Sequence, residues 1–499
     1  PTHPHTMARG LLHVVAAAAA VAAATPTTSA PAYGPVTALP GLTFSPSYGM
    51  TAGYISFTSP VQGSTHSYFH WIVEAEGGVA NAPVLFWTNG GPGCSGLYGM
   101  GLENGPFIIT ANGTLVPNAF SWNKFATVVY MEMPVGVGFS YSPNPADAAT
   151  QDDEVARTDG VAFLTAFYAA HPELAGRPMW LTSESYGGNY IPELARAILT
   201  GNDTAMASRL TAGGVVVGNP VFSTDTATYM DIVNSVQADI LYGHAALPAS
   251  FVADYNAAGC NTLTPPSRIV CGSLRKAMFK LAGACFASNE CGDDVYSDVY
   301  GNATLGPVVD ASGYDRDVTW DAWLDRTDVQ AAIYAQPPPF PPWQDCSDGI
   351  QYKLTWPSLL PAYAALQAAG VRTLVLSGDV DVATVPYATT QVALASLNRT
   401  VIAGWRAWTV TTAAGANQTA GYVTQYSGDL TFATVKAGGH EAGAYQPLAT
   451  YALVSSFIAA QPLPAAAPAP ARLYAAPAPH GRRSQSSILR AAMRAPHAA

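Results

Sequence analysis

The chain has 499 residues, 49% of them hydrophobic and only 11% charged, so it can bury a large core and is not a disordered polyelectrolyte. Its formal net charge is -11, and no run of lysines or arginines crosses the body of the chain, which excludes tracking of a nucleic-acid backbone.

Met7 and Arg9 precede an alanine-dominated apolar stretch from Leu11 to Ala24 and then small residues to Ala30. The layout predicts a secretory signal peptide over residues 7–30, because the apolar stretch falls short of the roughly 20 residues that span a bilayer. No membrane span is expected once it is removed. Six cysteines, Cys94, Cys260, Cys271, Cys285, Cys291 and Cys346, form an even set, which behind a signal peptide reads as disulfides. Asn-x-Ser/Thr glycosylation acceptors at Asn112, Asn202, Asn302, Asn398 and Asn417 fit the same secretory route, ending outside the cell or in a vacuole or lysosome.

Between about residues 35 and 460 short apolar runs alternate with helical patterns, which predicts an α/β fold with a mainly parallel sheet covered on both faces. The candidate central strands are Val84 to Trp87, Thr127 to Met131, Met179 to Thr182, Val215 to Val217, Thr373 to Leu376 and Phe432 to Val435. Phe163, Leu164, Phe167 and Tyr168 recur at helical spacing after Asp152, Asp153 and Glu154, whose carboxylates suit a helix N-terminus. From about 224 to 345 the alternation fails, four cysteines cluster and prolines gather at 337–342, so this stretch reads as a cap inserted over the sheet. From Pro462 to residue 499 the chain is rich in proline, alanine and arginine with no sustained apolar face, and is expected to be a flexible tail.

The strand ending at Thr182 runs into Ser183-Glu184-Ser185-Tyr186-Gly187-Gly188, after which Tyr190, Ile191, Leu194 and Ile198 repeat at helical intervals. A strand, a sharp turn and a helix lift a serine hydroxyl clear of the sheet and leave the next amide free at a helix N-terminus. Ser185 is therefore the candidate nucleophile, although Ser183 stands where the usual Gly-x-Ser-x-Gly elbow has its first glycine. Two later strands end in Ser377-Gly378-Asp379-Val380-Asp381 and Gly438-Gly439-His440-Glu441. The chain order Ser, Asp, His is that of α/β-hydrolases, and groups at the carboxyl ends of parallel strands can converge. Asp381 is preferred over Asp379 as the acid, with His440 as the base.

Several motifs carry a more specific resemblance: Trp87-Thr88-Asn89-Gly90-Gly91-Pro92-Gly93-Cys94-Ser95, Glu103-Asn104-Gly105-Pro106, Ser121-Trp122-Asn123 and Pro134-Val135-Gly136-Val137-Gly138-Phe139-Ser140-Tyr141. With Leu39-Pro40-Gly41, Gly53-Tyr54 and the three segments above, the chain resembles the serine carboxypeptidases from about Leu39 to Pro447. The resemblance implies an α/β-hydrolase fold, an oxyanion hole made by the amides of Gly91 and Tyr186, and a grip on the substrate's terminal carboxylate by Asn89, Glu103 and Glu184 supported by Trp87. It also implies a Cys94–Cys346 disulfide, while the other four cysteines allow three pairings.

The expected activity is removal of the last residue from peptide and protein C-termini at acidic pH, through an acyl-enzyme on Ser185. Acyl transfer from a sugar ester is the alternative, since some relatives keep the triad for that reaction, and a non-catalytic secreted binding protein is a third reading. No cofactor and no metal are expected: Gly136-Val137-Gly138 lacks the third glycine of a dinucleotide loop, no Gly-x-x-x-x-Gly-Lys occurs, and His440-Glu441 opens no zinc motif. Side-chain preference and oligomeric state are not legible.

Overall fold

A computed structural model describes residues 33–78, 81–223, 226–262, 264–282, 316–335, 342–382 and 384–464. The predicted signal peptide, Cys285, Cys291, Asn302 and all but the first residues of the predicted tail lie outside the described residues.

Eleven strands form one sheet: β1 (Gly34–Pro35), β2 (Met50–Thr58), β3 (Thr65–Val73), β4 (Val84–Thr88), β5 (Thr127–Met131), β6 (Met179–Glu184), β7 (Gly214–Gly218), β8 (Arg372–Gly378), β9 (Val401–Thr411), β10 (Asn417–Tyr426) and β11 (Leu430–Val435). Their spatial order is β1-β2-β3-β5-β4-β6-β7-β8-β11-β10-β9. The six from β5 to β11 in that order are parallel, and the flanking strands are antiparallel. This is the α/β-hydrolase architecture, with the six predicted runs as its centre and four longer antiparallel strands that the alternation of apolar runs did not announce.

The parallel strands are buried almost throughout because both faces are covered. Val84 and Phe86 pack on one side with Met179, Leu181, Val215 and Val217. Leu85 and Trp87 pack on the other with Val128, Tyr130, Trp180 and Val216. The crossover helix α1 (Asp153–Ala170) places Phe163, Leu164 and Phe167 on the first of these clusters, and α2 (Gly187–Thr200) adds Tyr190, Ile191, Leu194 and Ile198.

Beyond β7, helices α3 (Thr226–Gly243), α4 (Ala249–Ala257) and α5 (Arg268–Ala282) gather an apolar cluster of their own, including Leu241, Tyr255, Met278 and Phe279. Helix α6 (Arg316–Leu324) instead joins the main core. Its Trp320 indole donates to the Leu97 carbonyl at 3.0 Å and its Trp323 indole to Pro40 at 3.0 Å.

Candidate active site

Parallel pairing brings the carboxyl ends of β6, β7, β8 and β11 to one edge of the sheet, with Glu184 opposite Gly218, Gly218 opposite Leu376, and Gly378 opposite Val435. Ser185 follows β6 directly. It turns with φ +58°, a left-handed backbone that L-residues adopt rarely and that functional turns concentrate. Its amide donates to Gly218 O at 2.9 Å, and its carbonyl accepts from Gly188 N and Val221 N, both at 2.9 Å, before α2 begins at Gly187. The serine at 183 is accommodated by the glycine at 187: a Cβ on Gly187 would lie 1.8 Å from Ser183 Oγ and 2.3 Å from Ser183 Cβ. Gly187→Ala is therefore expected to destabilise the fold by about 1–3 kcal/mol. Adding Ser183→Gly should restore most of that loss in urea unfolding, and a second substitution that adds its own full penalty would refute the size exchange.

His440 is buried and its Nδ1 lies 2.7 Å from Asp381 Oδ2. The carboxylate accepts, so Nδ1 carries a proton. Asp381, 1% exposed, is held on every side: Oδ1 accepts from Thr384 N at 3.1 Å, and Oδ2 from Val385 N at 3.1 Å and Asn219 Nδ2 at 2.9 Å. Asp379 has a different task, accepting from Ala437 N at 2.6 Å in the turn after β11.

Gly90 lies against the elbow. A Cβ on Gly90 would sit 2.5 Å from Tyr186 N and 2.8 Å from Ser185 Cβ, so only glycine lets this backbone come so close. The amides of Gly91 and Tyr186 donate to no acceptor among the described residues. Cys94, three residues on, is joined to Cys346. The Tyr186 ring is anchored by its hydroxyl, which donates to Asp153 Oδ1 at 2.6 Å and accepts from Asn189 Nδ2 at 3.0 Å. Asp153 also receives Tyr352 OH at 3.0 Å and Trp356 N at 3.1 Å. Sequence reasoning saw Asp153 only as a helix-start acid. Asp152 in fact caps α1 by accepting from Val155 N, while Asp153 turns inward.

Beside His440 two buried carboxyl groups share one amide. Asn89 Nδ2 donates to Glu103 Oε1 at 3.0 Å and to Glu184 Oε1 at 3.2 Å. Asn89 Oδ1 is fixed as the acceptor by the Trp87 indole at 2.7 Å and Gly99 N at 3.1 Å, so its NH2 must face the acids. Gly90 N donates to Glu184 Oε1 at 3.1 Å, whereas Glu184 Oε2 has no hydrogen-bond partner and lies 3.4 Å from His440 Nε2. Burial, and then the charge of Glu184, push Glu103 up to about 8; burial also raises Glu184. For His440 burial works downward, but Asp381 and then Glu184 and Glu103 outweigh it and raise the imidazole to about 9. Arg316 of α6, buried and bonded to the Leu102 carbonyl, is a cation near Glu103 that the sequence did not single out.

A further buried acid, Glu132, is pushed up to about 7 by burial although Ser95 Oγ (2.6 Å), Phe139 N (2.6 Å) and the Trp343 indole (2.8 Å) donate to it. Both Glu103 and Glu132 hold protons in the fold at pH values where the unfolded chain has lost them. Their contribution is thus greatest near pH 4.5 and is lost as pH rises through about 7 to 8, and that of His440 disappears in the same direction, through about 9. The free energy of urea unfolding should fall steadily from pH 5 to pH 8, by roughly 3 kcal/mol for Glu132 alone. A flat profile, or Glu132→Gln with an unchanged slope, would contradict this.

Cys260 is bonded to Cys271, which decides one pairing that spacing left open. Asn112, Asn202, Asn398 and Asn417 are exposed. Among the described residues no cluster of three or more metal-ligating side chains occurs, and no helix is long and apolar enough to cross a membrane.

The family model of the serine carboxypeptidases matches residues 40–460. Serine carboxypeptidase-like 40 of Arabidopsis thaliana is 31% identical over 435 residues, covering 84% of this chain and 81% of the relative. Serine carboxypeptidase-like 8 of the same plant is 30% identical, covering 85% and 94%. Among solved structures, the prohormone-processing carboxypeptidase Kex1(Δ)p of Saccharomyces cerevisiae superposes with a TM-score of 0.63 at 19% identity, over 82% of this chain and 91% of that one. It is similar in fold.

Proposed function

This chain belongs to the serine carboxypeptidase family, and on that premise we propose that it hydrolyses the C-terminal peptide bond of peptides and proteins at acidic pH. The observation that carries the reading is the Asn89–Glu103–Glu184 cluster set against His440, a protonatable carboxyl pair beside the proposed base, with Glu184 Oε2 3.4 Å from His440 Nε2. A carboxyl that keeps its proton donates a hydrogen bond to a carboxylate, so the pair suits a free C-terminus and an acidic medium.

In this mechanism the fraction of His440 that is unprotonated at Nε2 takes the Ser185 proton as Oγ attacks the last peptide carbonyl, and Asp381 holds the imidazole in the required tautomer. The amides of Gly91 and Tyr186 stabilise the oxyanion. His440 returns its proton to the leaving amino acid and then activates the water that frees the acyl-enzyme. The two disulfides among the described residues and the exposed acceptor asparagines support passage through the secretory pathway to an extracellular or vacuolar destination.

The test is to incubate the signal-free protein at mildly acidic pH with a blocked dipeptide and its C-terminally amidated twin, following release of the last residue by mass spectrometry. Release from the free acid with the amide slower is expected. No release from either, with the enzyme still labelled by a fluorophosphonate, would replace hydrolysis by acyl transfer.

A further inference from the structure

The Gly218-Asn219 dipeptide at the end of β7 touches both the nucleophile's strand and the acid's loop. Gly218 O accepts from Ser185 N at 2.9 Å, and the Asn219 amide donates to Leu376 O on β8 at 2.8 Å. The Asn219 side chain is fully buried and its two ends are assigned by their partners: Oδ1 accepts from Gly378 N at 3.0 Å, so Nδ2 necessarily faces Asp381 Oδ2, 2.9 Å away. That oxygen is the one that accepts from His440 Nδ1 at 2.7 Å. Asn219 also holds φ +38°, a conformation asparagine tolerates better than most residues.

We propose that Asn219 is a positioning residue for acyl transfer, which orients the Asp381 carboxylate toward His440 while tying the acid's loop to the strand end that carries the serine. The proposal rests on the triad assigned above and adds a fourth member to it. The backbone donors Thr384 N and Val385 N belong to the same loop as Asp381 and move with it. Among the described residues Asn219 and His440 are the side-chain donors to Asp381, and Asn219 follows the strand end that accepts from the Ser185 amide, so it sets where the carboxylate sits relative to Ser185.

Asn219→Asp is a sharp test, because it keeps the oxygen for Gly378 N and replaces the amide donor to Asp381 by a second carboxyl group, which shares one proton with Asp381 or repels it. The first readout is the rate at which a fluorophosphonate labels Ser185, which reports serine activation whatever the natural acyl acceptor. Loss of one hydrogen bond to a charged group predicts a fall of about ten- to hundredfold. On the free-acid dipeptide the fall should appear in kcat with KM unchanged, since the carboxylate grip is untouched. Combined with Asp381→Asn, the second substitution should cost little more, because both act through one contact.

Labelling at the wild-type rate, or losses that multiply in full with Asp381→Asn, would overturn the proposal. Asn219→Gly, which suits the backbone conformation and removes the donor without adding charge, should show the same kcat loss. It keeps the test decisive if the aspartate variant fails to fold. A wild-type enzyme that does not label at all would refute the underlying triad instead, so the two failures are distinct.

Discussion

Ser185→Ala is expected to lower kcat on a C-terminal peptide bond by about 10⁴- to 10⁶-fold and to leave the thermal midpoint within about 2 °C of wild type. The hydroxyl is the only atom removed, and the left-handed turn is held by backbone contacts to Gly218, Gly188 and Val221 that do not involve it. Alanine suffers the same φ +58° as serine, so strain is unchanged. What remains should be the modest catalysis that an oxyanion hole and substrate binding supply without a nucleophile. Burst kinetics and fluorophosphonate labelling should vanish together. A variant that keeps even a tenth of wild-type turnover would transfer the nucleophile's role to another residue and dismantle the mechanism.

The second large effect is expected at the carboxylate pair. Asn89→Leu removes the single NH2 group that bridges Glu103 and Glu184, and leaves two buried carboxyl groups short of a donor. It should reduce kcat/KM on a free-acid peptide by about 100-fold, the scale of losing hydrogen bonds to charged groups. On the amidated twin the change should stay within a few-fold. In the wild-type enzyme, the ratio of free-acid to amide kcat/KM should fall as pH rises through about 8, where Glu103 loses its proton and the pair becomes two anions facing a third. His440 titrates with either substrate and cancels from the ratio. Parallel pH profiles for the two substrates would remove the grip from these residues, as would an Asn89→Leu enzyme that loses equally on both.

Four of the strands show why part of the fold was hidden in the sequence. In β3, His66, Ser67 and His70 are buried among Tyr68, Phe69 and Trp71, which spoils any clean alternation. His66 is tolerable there because its Nδ1 meets Asp159 Oδ2 at 2.6 Å, from a helix more than ninety residues away. Such a partner is invisible to local pattern. In β9 the register against β10 slips at three places, so a period of two cannot persist along the strand. The six central strands lacked these complications: covered on both faces, each carries a short apolar run that announces it.

The sequence by itself determined the α/β architecture, the sharp turn at Ser185, the order of serine, aspartate and histidine segments, and the motifs that identify the family. These are written in hydrophobic period, glycine placement and turn chemistry, all of which act within a few residues. Tertiary structure decided which of Asp379 and Asp381 meets His440, which cysteine joins Cys260, that Asp153 anchors Tyr186 rather than the start of its helix, and that Asn219 reaches Asp381. Each of these is a contact between strand ends or loops far apart in the chain. Hydrogen-bond geometry within 3 Å selects among polar residues that are locally equivalent, and only parallel packing of β6, β7, β8 and β11 fixes those distances.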